Sequence, residues 1–352
     1  MSRKLISLSV AATLLGGTAL ADVPRVAADI APVHSLVARV MQGVGDPSLI
    51  VAPGASPHEY SLRPSEAAAL QDADLVFWVS PGLTPWLDGA IETLAPKANV
   101  TELLEVDGTT ELPFREGALF EAHAHAHGDE GHDEGYDGHS EHDHEDHGDE
   151  ESHVKDAEHD HDEHGQDDDD HEEHADHKGH DHGEHDPHAW LSPDNGAVWL
   201  NAIAAQLSKA DPDNAGAYFA NAAAGRDELT ALSAEINGIL DPVRDRNFVV
   251  FHDAYQYFET AFDMPASGAI SVSDAADPSP ARIAEIQARV IDQGVTCVLS
   301  EPQFDPGIVA AVMDGSDAET GVLDPLGSDL EPGPELYGNV LRNLATALAD
   351  CL

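Results

Sequence analysis

The sequence predicts an α/β protein of two lobes, each a parallel sheet covered by helices, joined by one long helix. Three observations carry this. Short, continuous apolar runs such as Leu75 to Val79 and Val295 to Leu299 alternate with amphipathic stretches, as buried parallel strands do and half-solvated antiparallel strands do not. A 29-residue stretch from Pro212 to Leu240, rich in Ala, Glu and Leu, separates two such series. Between about Glu121 and Asp186 the chain is almost wholly His, Asp, Glu and Gly. That tract has too little apolar surface to offset the entropy of ordering a backbone and is expected to be a disordered loop.

In chain order, Val26 to Ile30 reads as a strand, and Val33, Leu36, Val37, Val40 and Met41 then keep helical spacing. Ser48 to Ala52 is a second strand, followed by the loop GASPHEYSLRP, a helix from Ser65 to Asp72, the strand Leu75 to Val79, a helix from Thr84 to Ala95 and a strand from Val100 to Val106. Beyond the tract, Ser192-Pro193 is a cap and first-turn pair for a helix running to about Lys209. The long stretch from Pro212 would extend roughly 40 Å as a helix, although Gly216, Gly225 and Gly238 each weaken it. The alternation then resumes. Strands are expected at Phe248 to Phe251, Ser267 to Ser273, Val295 to Leu299 and Gly321 to Leu323. Helices are expected at Ala254 to Phe262, Pro280 to Gln293, Pro306 to Met313 and Glu335 to Leu352. The expected organisation is a signal peptide (1–21), an N-terminal lobe (22–211) carrying the loop 121–186, a connecting helix (212–241) and a C-terminal lobe (242–352).

The N-terminus explains the compartment. Arg3 and Lys4 precede an apolar run from Leu5 to about Leu15, and Ala19-Leu20-Ala21 precedes Asp22; this is the layout of a secretory signal peptide cleaved after Ala21. No cysteine directly follows the apolar run, so no lipid anchor on the new N-terminus is expected, and no later stretch reaches the roughly 18 apolar residues of a membrane span, so an exported protein that is not membrane-inserted is expected. The formal net charge is −51, of which the tract contributes −26; such acidity argues against nucleic acid and anionic membrane surfaces as partners. The two cysteines, Cys297 and Cys351, form an even pair in an exported chain and point to a disulfide, worth roughly 4 kcal/mol in the chain-entropy model.

The tract holds 18 of the 22 histidines, with 28 acidic residues. Imidazole and carboxylate bind borderline divalent metals, so the tract reads as metal-binding. Only His34, His58, His188 and His252 lie outside it. His58 falls in the loop after the second strand, His188 just before a helix, and His252 at the end of FVVF. Ligands of open parallel sheets bind at the carboxyl ends of strands, so these three imidazoles from both lobes are expected to converge in a cleft and hold zinc. Asp324, after GVL, is the candidate fourth ligand, with water as the alternative. Glu59 and Asp253 are candidates for orienting the imidazoles. His34, within PVHSLVARVM, is expected to be a helix-face residue near the cleft and not a ligand.

GASPHEYSLRP, DPHAWLSP, VVFHDAYQYF, SEPQF and LDPLG resemble, over essentially the whole mature chain, the zinc-specific substrate-binding proteins of bacterial ABC transporters, the ZnuA type of the cluster A-I group. The resemblance implies two Rossmann-like lobes joined by a rigid helix, one tightly held Zn(II) as the transported ligand, a periplasmic location and delivery to a membrane permease. It carries His58, His188 and His252 over as metal ligands. Asp324 matches an aspartate that binds metal in manganese-binding relatives. Some zinc members have an acid just before the first ligand histidine; here Pro57 stands there, which favours water or Asp324 as the fourth donor. A disulfide between the two cysteines also matches zinc-type members. A monomer is expected.

Other readings are a manganese or other divalent-metal binder of the same family, an exported zinc buffer, and a zinc hydrolase. The hydrolase is disfavoured because there is no HExxH, nucleophile elbow or marked general base. The tract is expected to act as a weaker, secondary zinc collector tethered near the cleft.

Overall fold

A computed structural model describes residues 23–115, 185–271, 278–304 and 306–352. The expected signal peptide lies outside the described residues, as do Val272 and Ser273 and all of the expected loop except His185 and Asp186.

The first lobe contains β1 (Val26–Ala28), α1 (Ala31–Met41), β2 (Ser48–Leu49), α2 (Pro64–Asp72), β3 (Leu75–Trp78), α3 (Pro85–Leu94) and β4 (Asn99–Glu102). α4 (Pro193–Ala210) and α5 (Ala215–Leu240) follow. The second lobe contains β5 (Phe248–His252), α6 (Gln256–Phe262), β6 (Ala269–Ser271), α7 (Pro280–Asp292), β7 (Cys297–Ser300), α8 (Pro306–Met313), β8 (Glu319–Val322) and α9 (Leu336–Cys351). Both sheets are parallel throughout, with strand orders β2-β1-β3-β4 and β6-β5-β7-β8. The two lobes therefore repeat one topology, and each has its switch point beside its central strand, where the crevice for a ligand opens.

The apolar runs are continuous because both faces of each sheet are covered. In β3, Leu75 and Phe77 join the core shared with α1, α4, α5 and α9, while Val76 and Trp78 join a second cluster with α2 and α3. In β5, Phe248 and Val250 face the shared core, and Val249 and Phe251 face a cluster with α7 and α8. Several expected strands are longer than those assigned, yet for Ser48 to Ala52 and Val100 to Val106 the pairing continues past the assigned ends. Val51 N donates to Asp29 O at 2.8 Å, and Leu103 N to Trp78 O at 2.8 Å. β8 begins earlier than expected because its first residues, Glu319 and Thr320, form an exposed edge with no apolar signal.

The Ser192 cap behaves as expected: its side chain accepts from Asn195 N, and Pro193 opens α4. The long helical stretch starts with a 3₁₀ turn at Pro212–Asn214, leaving 26 residues in α5, about 39 Å at 1.5 Å per residue. α5 packs on α4, α9 and α1. Its Gly225 is there for close approach, since a Cβ would lie 2.9 Å from Leu200 Cδ1. The disulfide Cys297–Cys351 is formed, with Cα atoms 5.8 Å apart, and joins β7 to the end of α9. Among the described residues no helix is long and apolar enough to cross a membrane.

Candidate metal centre

All three strand-end histidines come together. His252 is the last residue of β5, His188 precedes the 3₁₀ turn Ala189–Leu191 that leads into α4, and His58 lies in the loop between β2 and α2. The His58 loop is built from its own sequence. Tyr60 Oη donates to Glu66 Oε1 at 2.8 Å and accepts from Ala52 N at 3.3 Å, and Trp86 Nε1 donates to Pro57 O at 2.7 Å. Glu66 also accepts from Arg63 N at 2.7 Å, which fixes the start of α2. These bonds hold PHEY against α2 and α3 and present His58, half-buried, to the cleft.

Each of the three histidines offers one ring nitrogen within 4.8 Å of the other two. His188 Nε2 and His252 Nε2 are 3.4 Å apart. Two nitrogens bound tetrahedrally to one zinc at about 2.05 Å would stand about 3.3 Å apart. Their Nδ1 atoms are already committed: His188 Nδ1 donates to Asp186 Oδ1 at 2.7 Å and His252 Nδ1 to Glu301 Oε1 at 2.6 Å. A neutral imidazole that donates through Nδ1 carries its lone pair on Nε2, so two lone pairs face each other across a gap that suits a cation. The carboxylate–imidazole pairs also set ring orientation and raise donor basicity.

Asp186 and Glu301 are buried at 2 % and 4 % exposure. Burial pushes the Asp186 carboxyl up to about 7, opposed by the His188 N–H and by the positive charge of Arg115; a dication among the imidazoles would pull it back down. The carboxylates that hold the His188 and His252 rings are not the expected chain neighbours. Glu59 is exposed, and Asp253 accepts from Arg115 Nε at 2.9 Å. Neighbours in an extended segment point to opposite sides, so the carboxylates come instead from two residues before His188 and from the end of β7. The D-x-H spacing at Asp186, and an acid directly after the buried strand ending at Ser300, were the signals available.

Asp324 is close in the fold but otherwise engaged. Its Oδ1 accepts from Leu326 N at 3.1 Å and Gly327 N at 2.9 Å, and its Oδ2 from Ser328 N at 2.6 Å. It ties its own turn and stands outside the histidine cluster. His34 is buried in α1, its Nε2 3.1 Å from Pro47 O, and is not one of the three clustered histidines. The cavity at the histidines has a free volume of about 20 Å³ and is walled by Trp190, Phe304, Pro325 and Leu326. That is room for an ion with a water, far below the few hundred Å³ of an organic ligand pocket.

The chain matches the family model ZnuA, described as "Zinc-uptake complex component A periplasmic", over residues 26–351. It is 49 % identical over 327 residues to the high-affinity zinc uptake system protein ZnuA of Brucella abortus (strain 2308), covering 93 % of this chain and 91 % of that one. It is 46 % identical over 347 residues to the protein of the same name from Paracoccus denitrificans (strain Pd 1222), covering 97 % of each. A solved structure titled "Crystal structure of ZnuA" superposes with a TM-score of 0.66 at 21 % identity, covering 94 % of this chain and 99 % of that one; at that identity it supports the fold. With the family model spanning both lobes and the cleft between them, this chain belongs to the ZnuA family of periplasmic zinc-uptake components.

Proposed function

We propose that the protein captures Zn(II) in the interlobe cleft with His58, His188 and His252 and delivers it to the membrane permease of an ABC importer. The observation that carries this reading is the pair of Nε2 atoms 3.4 Å apart, each on a ring whose Nδ1 is bonded to a buried carboxylate. Three imidazoles favour zinc over manganese, which prefers more oxygen donors. Water or Asp324 supplies the fourth donor; the backbone N–H groups of Gly327 and Ser328 that already bond the two Asp324 oxygens favour water. The small cavity at the histidines supports a role in binding and release of an ion. Export follows cleavage after Ala21, and the histidine-rich tract serves as a weaker, secondary zinc collector.

The test is chelator-competition titration combined with anomalous diffraction at the zinc edge. Deleting residues 121–184 is expected to leave one tight site while lowering total stoichiometry and the loading rate at low zinc. His188→Ala and His252→Ala are each expected to abolish the tight site. Tight binding that survives both substitutions would overturn the assignment, and loss of tight binding on deletion would move the function to the tract. Manganese bound as tightly as zinc would overturn the choice of metal.

A further inference from the structure

We propose that Arg115 is a positioning residue for zinc retention: it fastens the segment that supports His188 onto the second lobe directly behind His252. The inference rests on the three-histidine reading above.

Two segments run side by side at the edge of the cleft. Pro113 and His185 form an antiparallel bridge, and Asp186 N donates to Leu112 O at 2.8 Å. From this ribbon Arg115 reaches the second lobe. Its Nε donates to Asp253 Oδ1 at 2.9 Å, its Nη1 to Glu259 Oε2 at 2.8 Å and its Nη2 to Glu259 Oε1 at 2.8 Å, with a further bond from Nη2 to Asp253 Oδ1. Asp253 follows His252 in the chain, and Glu259 lies in α6, where its Oε2 also accepts from Ala266 N at 2.9 Å. Tyr257 completes the attachment: its hydroxyl accepts from Leu112 N and donates to Asp186 O, both at 2.9 Å. Asp186 in turn holds the His188 ring. One guanidinium therefore joins the backbone carrying one ligand's carboxylate to the strand end carrying another ligand.

The chemistry of the joint is specific to arginine. The side chains of Arg115, Asp253 and Glu259 are 17 %, 10 % and 6 % exposed, so salt screens them little. A planar fork of five N–H donors satisfies two carboxylates at once, whereas an ammonium is a point charge with three donors and no fixed fork. Asp253 and Glu259 together carry one more negative charge than Arg115 can cancel, so weakening the fork lets two buried carboxylates push apart. The separation of His188 from His252 then loosens, and the loosening is felt in metal release, because effects of this kind fall mainly on the dissociation rate.

The experiment is a stopped-flow chelator chase of Zn(II) from the full chain, with the slow phase assigned to the cluster by its absence in His188→Ala. Arg115→Lys keeps the charge balance and is expected to release the slow-phase zinc about tenfold faster. The visible spectrum of the Co(II)-loaded protein is expected to keep the wild-type ligand set, and the metal-free protein its melting temperature. Arg115→Met is expected to act in the same direction and further. A slow phase within about twofold of wild type in Arg115→Lys would overturn the proposal. So would faster release matched by an equal loss of stability in the metal-free protein, which is what a merely structural ion pair gives. Persistence of the slow phase in His188→Ala would instead sink the three-histidine reading itself, a result distinct from either.

Discussion

Replacing Glu301 by Gln changes one atom of a side chain outside the three-histidine cluster, and it measures how much the carboxylate behind His252 contributes. Glu301 Oε1 lies 2.6 Å from His252 Nδ1, and both residues are nearly fully buried. A buried hydrogen bond to a charged acceptor is worth about 1.5–3 kcal/mol and its neutral counterpart about 0.5–1.5 kcal/mol. The amide oxygen of Gln can still accept from Nδ1, so the ligand keeps its tautomer and loses only the charge assistance, about 1–1.5 kcal/mol. That corresponds to roughly tenfold weaker zinc binding. Glu301→Leu removes the acceptor altogether and leaves a buried N–H unpaired, so its loss should approach a hundredfold, the upper end for partners of metal-bound histidines. The assay is zinc affinity of the tight site by competition with a chelator at constant pH, with His252→Ala as the reference for a lost ligand. An affinity for Glu301→Gln within about twofold of wild type, beside a large loss in His252→Ala, would refute the reasoning that the carboxylate tunes the ligand.

Three further outcomes are expected away from the ligands. Cys297→Ser/Cys351→Ser opens a loop with a sequence separation of 54 and should lower stability by about 4 kcal/mol in denaturant titration, and a loss below about 1 kcal/mol would contradict the chain-entropy account. His34 is held below its ordinary pKa of 6.5 by burial, against the Pro47 carbonyl and the charge of Asp46. The unfolded chain therefore binds the extra proton below about pH 6.5, and native stability falls as pH drops through that range. His34→Gln should flatten this slope in melting curves taken from pH 8 to pH 5, and an unchanged slope would assign it elsewhere. Gly196→Ala places a Cβ 2.5 Å from Tyr337 Oη, a hydroxyl that donates to Trp190 O at 2.8 Å and is fully buried. It should lower the denaturation midpoint by the equivalent of about 1–3 kcal/mol at unchanged m-value, and a neutral result would mean that the ring has room to move.

The α/β class, the two series of strands, the long helix and the three strand-end histidines were all legible in the amino-acid order. Each of these is written in local terms: an apolar run bounded by turns, a helical period, a histidine at a strand end. Its strand ends were misplaced where pairing was not apolar, as at Glu319 and Thr320 on the edge of the second sheet. It pointed to Glu59 and Asp253 behind the imidazoles because adjacency in the chain was the only proximity it offered. It takes the packed structure to show that Glu301, 49 residues from His252, and Asp186 hold the rings, that Asp324 accepts from the backbone of its own turn, and that Gly225 in α5 makes room for Leu200. The physical reason is the range over which each property acts. Propensity and periodicity are set within a few residues, whereas a hydrogen bond or a metal cradle depends on how strand ends from two sheets are brought together by packing.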